Sequence, residues 1–280
     1  MATRLDAAAS ANATTLAYSI SAGTNRRLII NVGSEGTQAG NHTCTYGDQT
    51  ATFIGAAIAG SGTTQQTVTK FELTESQIAA AVGTTITAGN VPTDFNISAR
   101  SYQDCEQTTP LTNFDTDSTG AATPNPLAAL DITPVGDNAI IVAFSGVGNA
   151  TTAVWAAPLT EQTDQATGSA AGSMADMEQT TAALVACEPT WLSQNRAAGV
   201  AVAIEDLAAV TRDQEAFRYY DDGTEAGASA LELQNVDLTI PKETIFQTRV
   251  GTQMIGDPPA EACTLQHKET GDAATEWRDV

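Results

Sequence analysis

Apolar and alternating runs of strand length, separated by turn residues, dominate this chain. Residues 26–32 (RRLIINV) form an apolar, β-branched run, and Gly33-Ser34-Glu35-Gly36 reads as the turn that closes it. Tyr46-Gly47-Asp48-Gln49 is a tight-turn signal between strands predicted at Thr43–Tyr46 and at residues 50–54. In Gln66–Leu73 (QTVTKFEL), Thr67, Thr69, Phe71 and Leu73 fall on one face and Val68, Lys70 and Glu72 on the other, the alternation of a half-buried strand. Residues 139–144 and 199–204 are continuous apolar runs and predict more fully buried strands. Residues 236–240 and 244–250 predict two more, with Pro241 between them.

Helical signals are few. Thr74-Glu75-Ser76-Gln77 fits a capping box and predicts one short helix over residues 78–82, in a loop between strands. Residues 175–186 begin with helix-forming residues but contain Thr180-Thr181, and the reading passes to strand from about Thr181. The expected fold is therefore all-β: two β-sandwich domains, jelly-roll or immunoglobulin-like, with one short helix in the first. The break falls where Glu205-Asp206 ends one strand and Arg212-Asp213 opens a fresh segment, giving a large domain over 11–206 and a small one over 211–280.

Charge sharpens this picture. The chain carries 33 acidic against 12 basic residues, a formal net charge of −21. Its only lysines are Lys70, Lys242 and Lys268. Such a surface repels itself at low ionic strength, but at 1 M salt the Debye length falls to about 3 Å and the repulsion is screened. An acidic, lysine-poor chain rich in small residues is the expected form of a halophile's protein. No basic cluster suggests nucleic-acid binding. The apolar runs are strand-sized, short of the roughly 18–20 residues of a membrane helix, and MATRLDAAASANATT lacks the apolar core of a signal peptide.

Several motifs carry a resemblance. Asn25-Arg26-Arg27-Leu28-Ile29-Ile30, Tyr46-Gly47-Asp48-Gln49-Thr50, Ala99-Arg100-Ser101-Tyr102 followed by Gln107-Thr108-Thr109-Pro110, and Gly136-Asp137-Asn138-Ala139-Ile140-Ile141-Val142 occur in that order. With Leu159-Thr160-Glu161-Gln162-Thr163-Asp164 and residues 196–204, this set resembles a β-sandwich module of tailed-phage structural proteins and bacterial surface proteins, across residues 14–205. Residues 212–280 are similar to a small β module of phage tail and capsid-associated proteins. The motifs there are Phe217-Arg218-Tyr219-Tyr220-Asp221-Asp222-Gly223, Gly256-Asp257-Pro258-Pro259, Leu265-Gln266-His267-Lys268 and Trp277-Arg278-Asp279-Val280. His267 stands where that module has an aromatic and reads as a strand position. The resemblance implies a virion component, and with the composition it implies a tailed virus of halophilic archaea: first a capsid decoration or turret protein, then a tail or baseplate part. The implied partners are further copies of itself, the major capsid protein or other virion proteins, and host cell-surface glycans. The competing expectation is an adhesion or carbohydrate-binding module of a halophile's cell surface.

Little in the chain points to catalysis. His42 and His267 are the two histidines and fall in different expected domains. No nucleophile elbow, zinc-protease motif, P-loop or dinucleotide fingerprint is present, so neither enzyme activity nor a cofactor is expected. Asp104/Glu106 and Asp115/Asp117 are close carboxylate pairs, and Asp115-Thr116-Asp117 is the candidate Ca²⁺ loop. Asp221-Asp222-Gly223 reads as a hairpin turn. Cys44, Cys105, Cys187 and Cys263 allow three disulfide pairings or free buried thiols. Trp155, Trp191 and Trp277 are either core or a carbohydrate-stacking platform. Asn12, Asn41, Asn96 and Asn149 head glycosylation sequons.

Overall fold

The computed structural model describes the chain apart from residues 93, 108–109, 121–126, 149–151, 168–169, 192–195, 208–210, 222–245, 256–265, 268–277 and 280, and from residue 211 onward it describes backbone pairing alone. The chain forms two units, Met1–Leu207 and Ala208–Val280. Among the described residues no helix is long and apolar enough to cross a membrane.

The first unit opens with β1 (Thr3–Arg4), β2 (Ala9–Ala11), β3 (Thr15–Ala17), β4 (Arg27–Glu35), β5 (Thr43–Tyr46), β6 (Gln49–Thr50), β7 (Thr52–Ala59) and β8 (Gln66–Leu73). The helix α1 (Glu75–Ala80), β9 (Thr85–Gly89) and β10 (Asp94–Gln103) complete its first half. The second half holds β11 (Phe114–Thr119), β12 (Asp131–Ile132), β13 (Ala139–Val147), β14 (Ala153–Trp155), β15 (Thr160–Thr167), β16 (Ala170–Gln179), β17 (Val185–Ala186), β18 (Pro189–Trp191) and β19 (Ala197–Ile204).

Two large antiparallel sheets organise this unit. One runs β1-β10-β4-β8-β7, with β2 also paired to β10; the other runs β11-β19-β13-β16-β15. They stack face to face, β10 against β15 and β16, β4 against β16 and β13, β8 against β13 and β19, and β7 against β19 and β11. Ile29, Val68, Tyr102, Phe144, Met174 and Val200 fill the layer between them. A four-stranded sheet, β3-β9-β5-β6, covers the outer face of the first, where Leu28, Ile30 and Phe71 meet Tyr46 and Ile86. The ribbons β12-β17 and β14-β18 belong to the cover of the second, where Ile141 and Ala201 share a cluster with Leu130, Trp155 and Trp191.

The two large sheets share one topology. In each half an N-terminal edge strand pairs with the last strand, which pairs with the first long strand, then the third, then the second. The likeness reaches single residues. Asn25 and Asn138, each just ahead of the first long strand, both take positive φ, 48° and 64°. The second strand carries a bulge in both halves, at Ile54 between Phe53 and Gly55 and at Gln162 between Glu161 and Thr163. The contacts of the inner strands also exchange when the halves are exchanged, as an approximate two-fold axis between β4 and β13 requires; at the edge β7 meets β11, whereas its counterpart β15 meets β2.

Local signals explain several elements. Gln77 Oε1 accepts from the Thr74 backbone N–H at 3.0 Å, the capping box expected there, and the helix it opens is one short one at Glu75–Ala80. Gly47 turns the β5–β6 hairpin at φ 54°, and a Cβ on it would sit 2.6 Å from the Val82 carbonyl oxygen.

Other expectations need correction. β4 continues through Gly33-Ser34-Glu35, and the positive φ falls at Gly36. Gly33 serves a close approach instead, since a Cβ on it would lie 3.1 Å from the Phe144 ring. Gln66–Leu73 is buried on both faces, because the second large sheet covers the side bearing Lys70 and Glu72. Residues 175–179 belong to β16, sandwiched in its sheet between β13 and β15, and from Thr180 the chain leaves that strand, with only Val185–Ala186 extended before residue 187. Residues 50–54 do not form one strand: the chain changes sheets at Ala51. Residues 3–11 supply β1 and β2, so the first unit begins ahead of the expected residue 11.

In the second unit β20 (Thr211–Asp221) pairs with β21 (Phe246–Ile255), and β22 (Gln266–His267) pairs with β23 (Arg278–Asp279). His267 is a strand residue opposite Arg278. The strand predicted at 236–240 and the turn residues Asp222-Gly223 lie outside the described residues.

Candidate functional site

The seam between the two stacked sheets gathers the unusual chemistry of this unit. Strand alternation aims Asn31 and Glu35 of β4, Gln66, Lys70 and Glu72 of β8, and Asn96, Ser98 and Arg100 of β10 toward the second sheet. All are buried. The facing wall is largely apolar: Ile140, Val142 and Phe144 of β13, Met174 of β16, and Val200 and Val202 of β19. At equivalent places in the two halves, Lys70 answers to Met174 and Asn31 to Phe144. The polar wall must therefore find its partners within itself or at the rim of the seam.

Ion pairs supply much of that. Asp176, fully buried on β16, accepts from Arg4 Nε at 2.9 Å, Arg100 Nη1 at 2.9 Å and the Tyr102 hydroxyl at 3.0 Å. Arg4 also reaches Glu178 at 2.9 Å. Arg27 pairs with Glu72 and donates to the Glu106 carbonyl at 2.5 Å, while the Leu111 N–H donates to Glu72 Oε1 at 2.8 Å. Burial lowers the pKa of Arg27 and raises that of Tyr102. At the far end of β4, Arg196 binds Glu35 at 2.9 Å. Arg4, Arg100 and Arg196 thus clasp one half of the unit to the other. Gln66 and Asn96 keep both amide atoms without partners, lying against Gly146 and Gly172.

Lys70 occupies the same layer. Its side chain is fully buried, and Nζ donates to Asn31 Oδ1 at 2.6 Å. Asn31 Nδ2 in turn contacts Met174 Sδ at 3.1 Å and Ser98 Oγ at 3.5 Å. Burial lowers the pKa of Lys70 to about 7, so much of the amine is neutral near neutral pH.

On the outer face of the first sheet, His42 is 3% exposed. Its Nε2 lies 2.8 Å from Ser34 Oγ, and its Nδ1 lies 2.8 Å from Thr69 Oγ1. Burial lowers its pKa to about 4. A serine–histidine contact is half of a nucleophilic pair, but here the third group is a hydroxyl and the set is enclosed, so the geometry describes a satisfied core imidazole.

The residues singled out from the sequence scatter. Asp115 and Asp117 stand on strand β11, not in a loop: Asp115 accepts from the Asp131 N–H at 2.9 Å, and Asp117 from the N–H groups of Ser118 at 2.7 Å and Ala129 at 3.2 Å. Their carboxylates hold neighbouring backbone. Among the described residues no three His, Cys, Asp or Glu side chains gather as a metal site. Asp104 accepts from Thr24 Oγ1 at 2.7 Å, and Glu106 contributes its carbonyl to Arg27. Asn12 and Asn41 are exposed, whereas Asn96 is 1% exposed inside the seam, which removes it as a glycan acceptor in the folded chain; Asn149 lies outside the described residues. Cys44, Cys105 and Cys187 are buried free thiols. Trp155 and Trp191 are buried in the core, with Trp155 Nε1 bonded to Ser173 Oγ at 2.7 Å, so neither offers a stacking face. Cys263 and Trp277 lie outside the described residues.

Sequence reasoning missed Asn31, Lys70 and Asp176 as site residues. The available signal was a lysine beside Phe71 in a predicted strand of a chain nearly without lysine. Comparison with protein-family models, curated proteins and solved structures gives no match to this chain.

Proposed function

We propose that this chain is a structural protein on the surface of a halophilic archaeal tailed virus, serving as a capsid decoration or turret. The observation that carries the reading is where the positive charge goes. Arg4, Arg26, Arg27, Arg100 and Arg196 are all held in ion pairs, and Lys70 is buried; these are all the basic side chains of Met1–Leu207. The outside of that unit is left to carboxylates, a surface suited to staying hydrated and dispersed in brine.

The layered β architecture supports a structural part: the stacked sheets of the first unit read as one large jelly-roll or immunoglobulin-like sandwich, the second unit as a small one, and the ordered motifs resemble virion modules. Closed symmetric oligomers are the usual state of such parts, with the shell protein as anchor and host glycans as outer contact. Antibody labelling of intact virions in molar salt, viewed by electron microscopy, tests this. Label over the head is the expected result. Label on the tail alone moves the protein to the attachment apparatus, and unlabelled particles with labelled cells overturn the reading in favour of a cell-surface module.

A further inference from the structure

Lys70 and Asn31 are direct cross-strand partners in the β4–β8 register. Both side chains are fully buried in the seam, and the amine nitrogen stands 2.6 Å from the carboxamide oxygen. Among the described residues Lys70 makes no ion pair. The carboxylates of the same layer, Glu35, Glu72 and Asp176, are held by Arg196, by Arg27, and by Arg4 and Arg100 in turn. A lysine without a counter-ion in such a place is uncharged for much of the time, and a neutral amine is a nucleophile. The two reacting groups are fixed by adjacent strands and shielded from water, which is how proximity replaces a catalyst's binding energy.

We propose that Lys70 and Asn31 join in a self-formed isopeptide bond that staples β8 to β4. Lys70 Nζ attacks Asn31 Cγ and a C–N bond forms. The bond from Cγ to Nδ2 breaks, the proton shed by Nζ passes to the departing nitrogen, and ammonia leaves. No oxidant, reductant or second substrate is consumed. Ser98 Oγ, 3.5 Å from Nδ2, is the hydroxyl placed to relay that proton. The product spans the middle of the polar wall and closes residues 31–70 into a covalent loop. The bond would form from this geometry wherever the protein is assembled.

Mass spectrometry of the full chain, purified in molar salt, tests it. Loss of ammonia lowers the intact mass by about 17 Da from that of the sequence, with any removal of Met1 allowed for. Cleavage after Glu35 and Glu72 separates the Asn31 and Lys70 fragments of an unlinked chain; the linked chain keeps them together. The Lys70→Arg variant returns to the full sequence mass. A wild-type chain at full mass, or one whose fragments separate, overturns the proposal. So does a mass deficit that survives Lys70→Arg. A cyclised asparagine, which also loses ammonia, is told apart because its fragments separate. The wild-type measurements decide the question even if the variant does not fold.

Discussion

Glu72 and Asp176 occupy the same position in the two halves of the first unit: each stands on the third strand of its large sheet, faces the opposite sheet, and is fully buried against arginine. Their partners differ. Glu72 is held by Arg27 of its own half, whereas Asp176 is held by Arg4 and Arg100 of the other. The pair at Asp176 therefore links the halves as well as neutralising a buried charge.

Asp176→Asn should cost about 3–5 kcal/mol, the range for breaking a buried ion pair from one side, because Arg100 loses its anion and Arg4 keeps only the exposed Glu178. Denaturant melts in molar KCl measure it. A loss under about 1 kcal/mol would show that the arginines relax to water, as surface pairs do.

Gly172 tests how closely the walls meet. A Cβ there would fall 2.2 Å from Asn96 Oδ1, and Asn96 has no room to withdraw because it is itself enclosed. Gly172→Ala should destabilise by about 1–3 kcal/mol, as overpacking does. Combined with Asn96→Ala, which clears the clash, it should cost less than the two changes summed. Strict additivity in the melts would mean that the walls are looser than the contact implies.

His42 gives the first unit an acid-sensitive element. Its folded pKa of about 4 lies below the unfolded 6.5, so the unfolded chain binds the extra proton between those values. Stability from this group is complete above about pH 6.5 and falls as pH drops toward 4, by about 3 kcal/mol in all. His42→Gln should flatten that part of the pH–stability curve, leaving the slope due to carboxylates. Equal slopes in both proteins would place the acid sensitivity elsewhere.

These sites show what the sequence could carry. The α1 helix is legible because its capping box is a contact within four residues. The alternation of Gln66–Leu73 is legible too, yet it says only that the two faces differ. It cannot say that a largely apolar sheet built from residues 114–204 lies on the face with Lys70 and Glu72. The internal repeat is hidden for the same reason: Asn31 and Phe144, or Lys70 and Met174, hold matching places with opposite chemistry, since one wall of the seam is polar and the other apolar. Gly33 misled because a turn and a close sheet-to-sheet approach ask for the same residue. Asp115 and Asp117 misled because a polar edge strand reads like a loop.

Salt should separate the two kinds of charge in this protein. Outer carboxylates face water and outnumber the cations of this unit, so their repulsion weakens as the Debye length shrinks from about 10 Å at 0.1 M to about 3 Å at 1 M. Seam pairs such as Arg100–Asp176 lie in a layer that salt does not enter. The thermal midpoint of the wild type should therefore climb steeply with KCl, while the free-energy deficit of Asp176→Asn stays constant across the same series. The shared climb measures the surface, and the constant gap measures the seam. If the deficit shrank with salt in step with surface screening, the Asp176 cluster would be behaving as a solvated pair, and the stacking of the two sheets would have to rest on their apolar contacts and the Arg196–Glu35 pair.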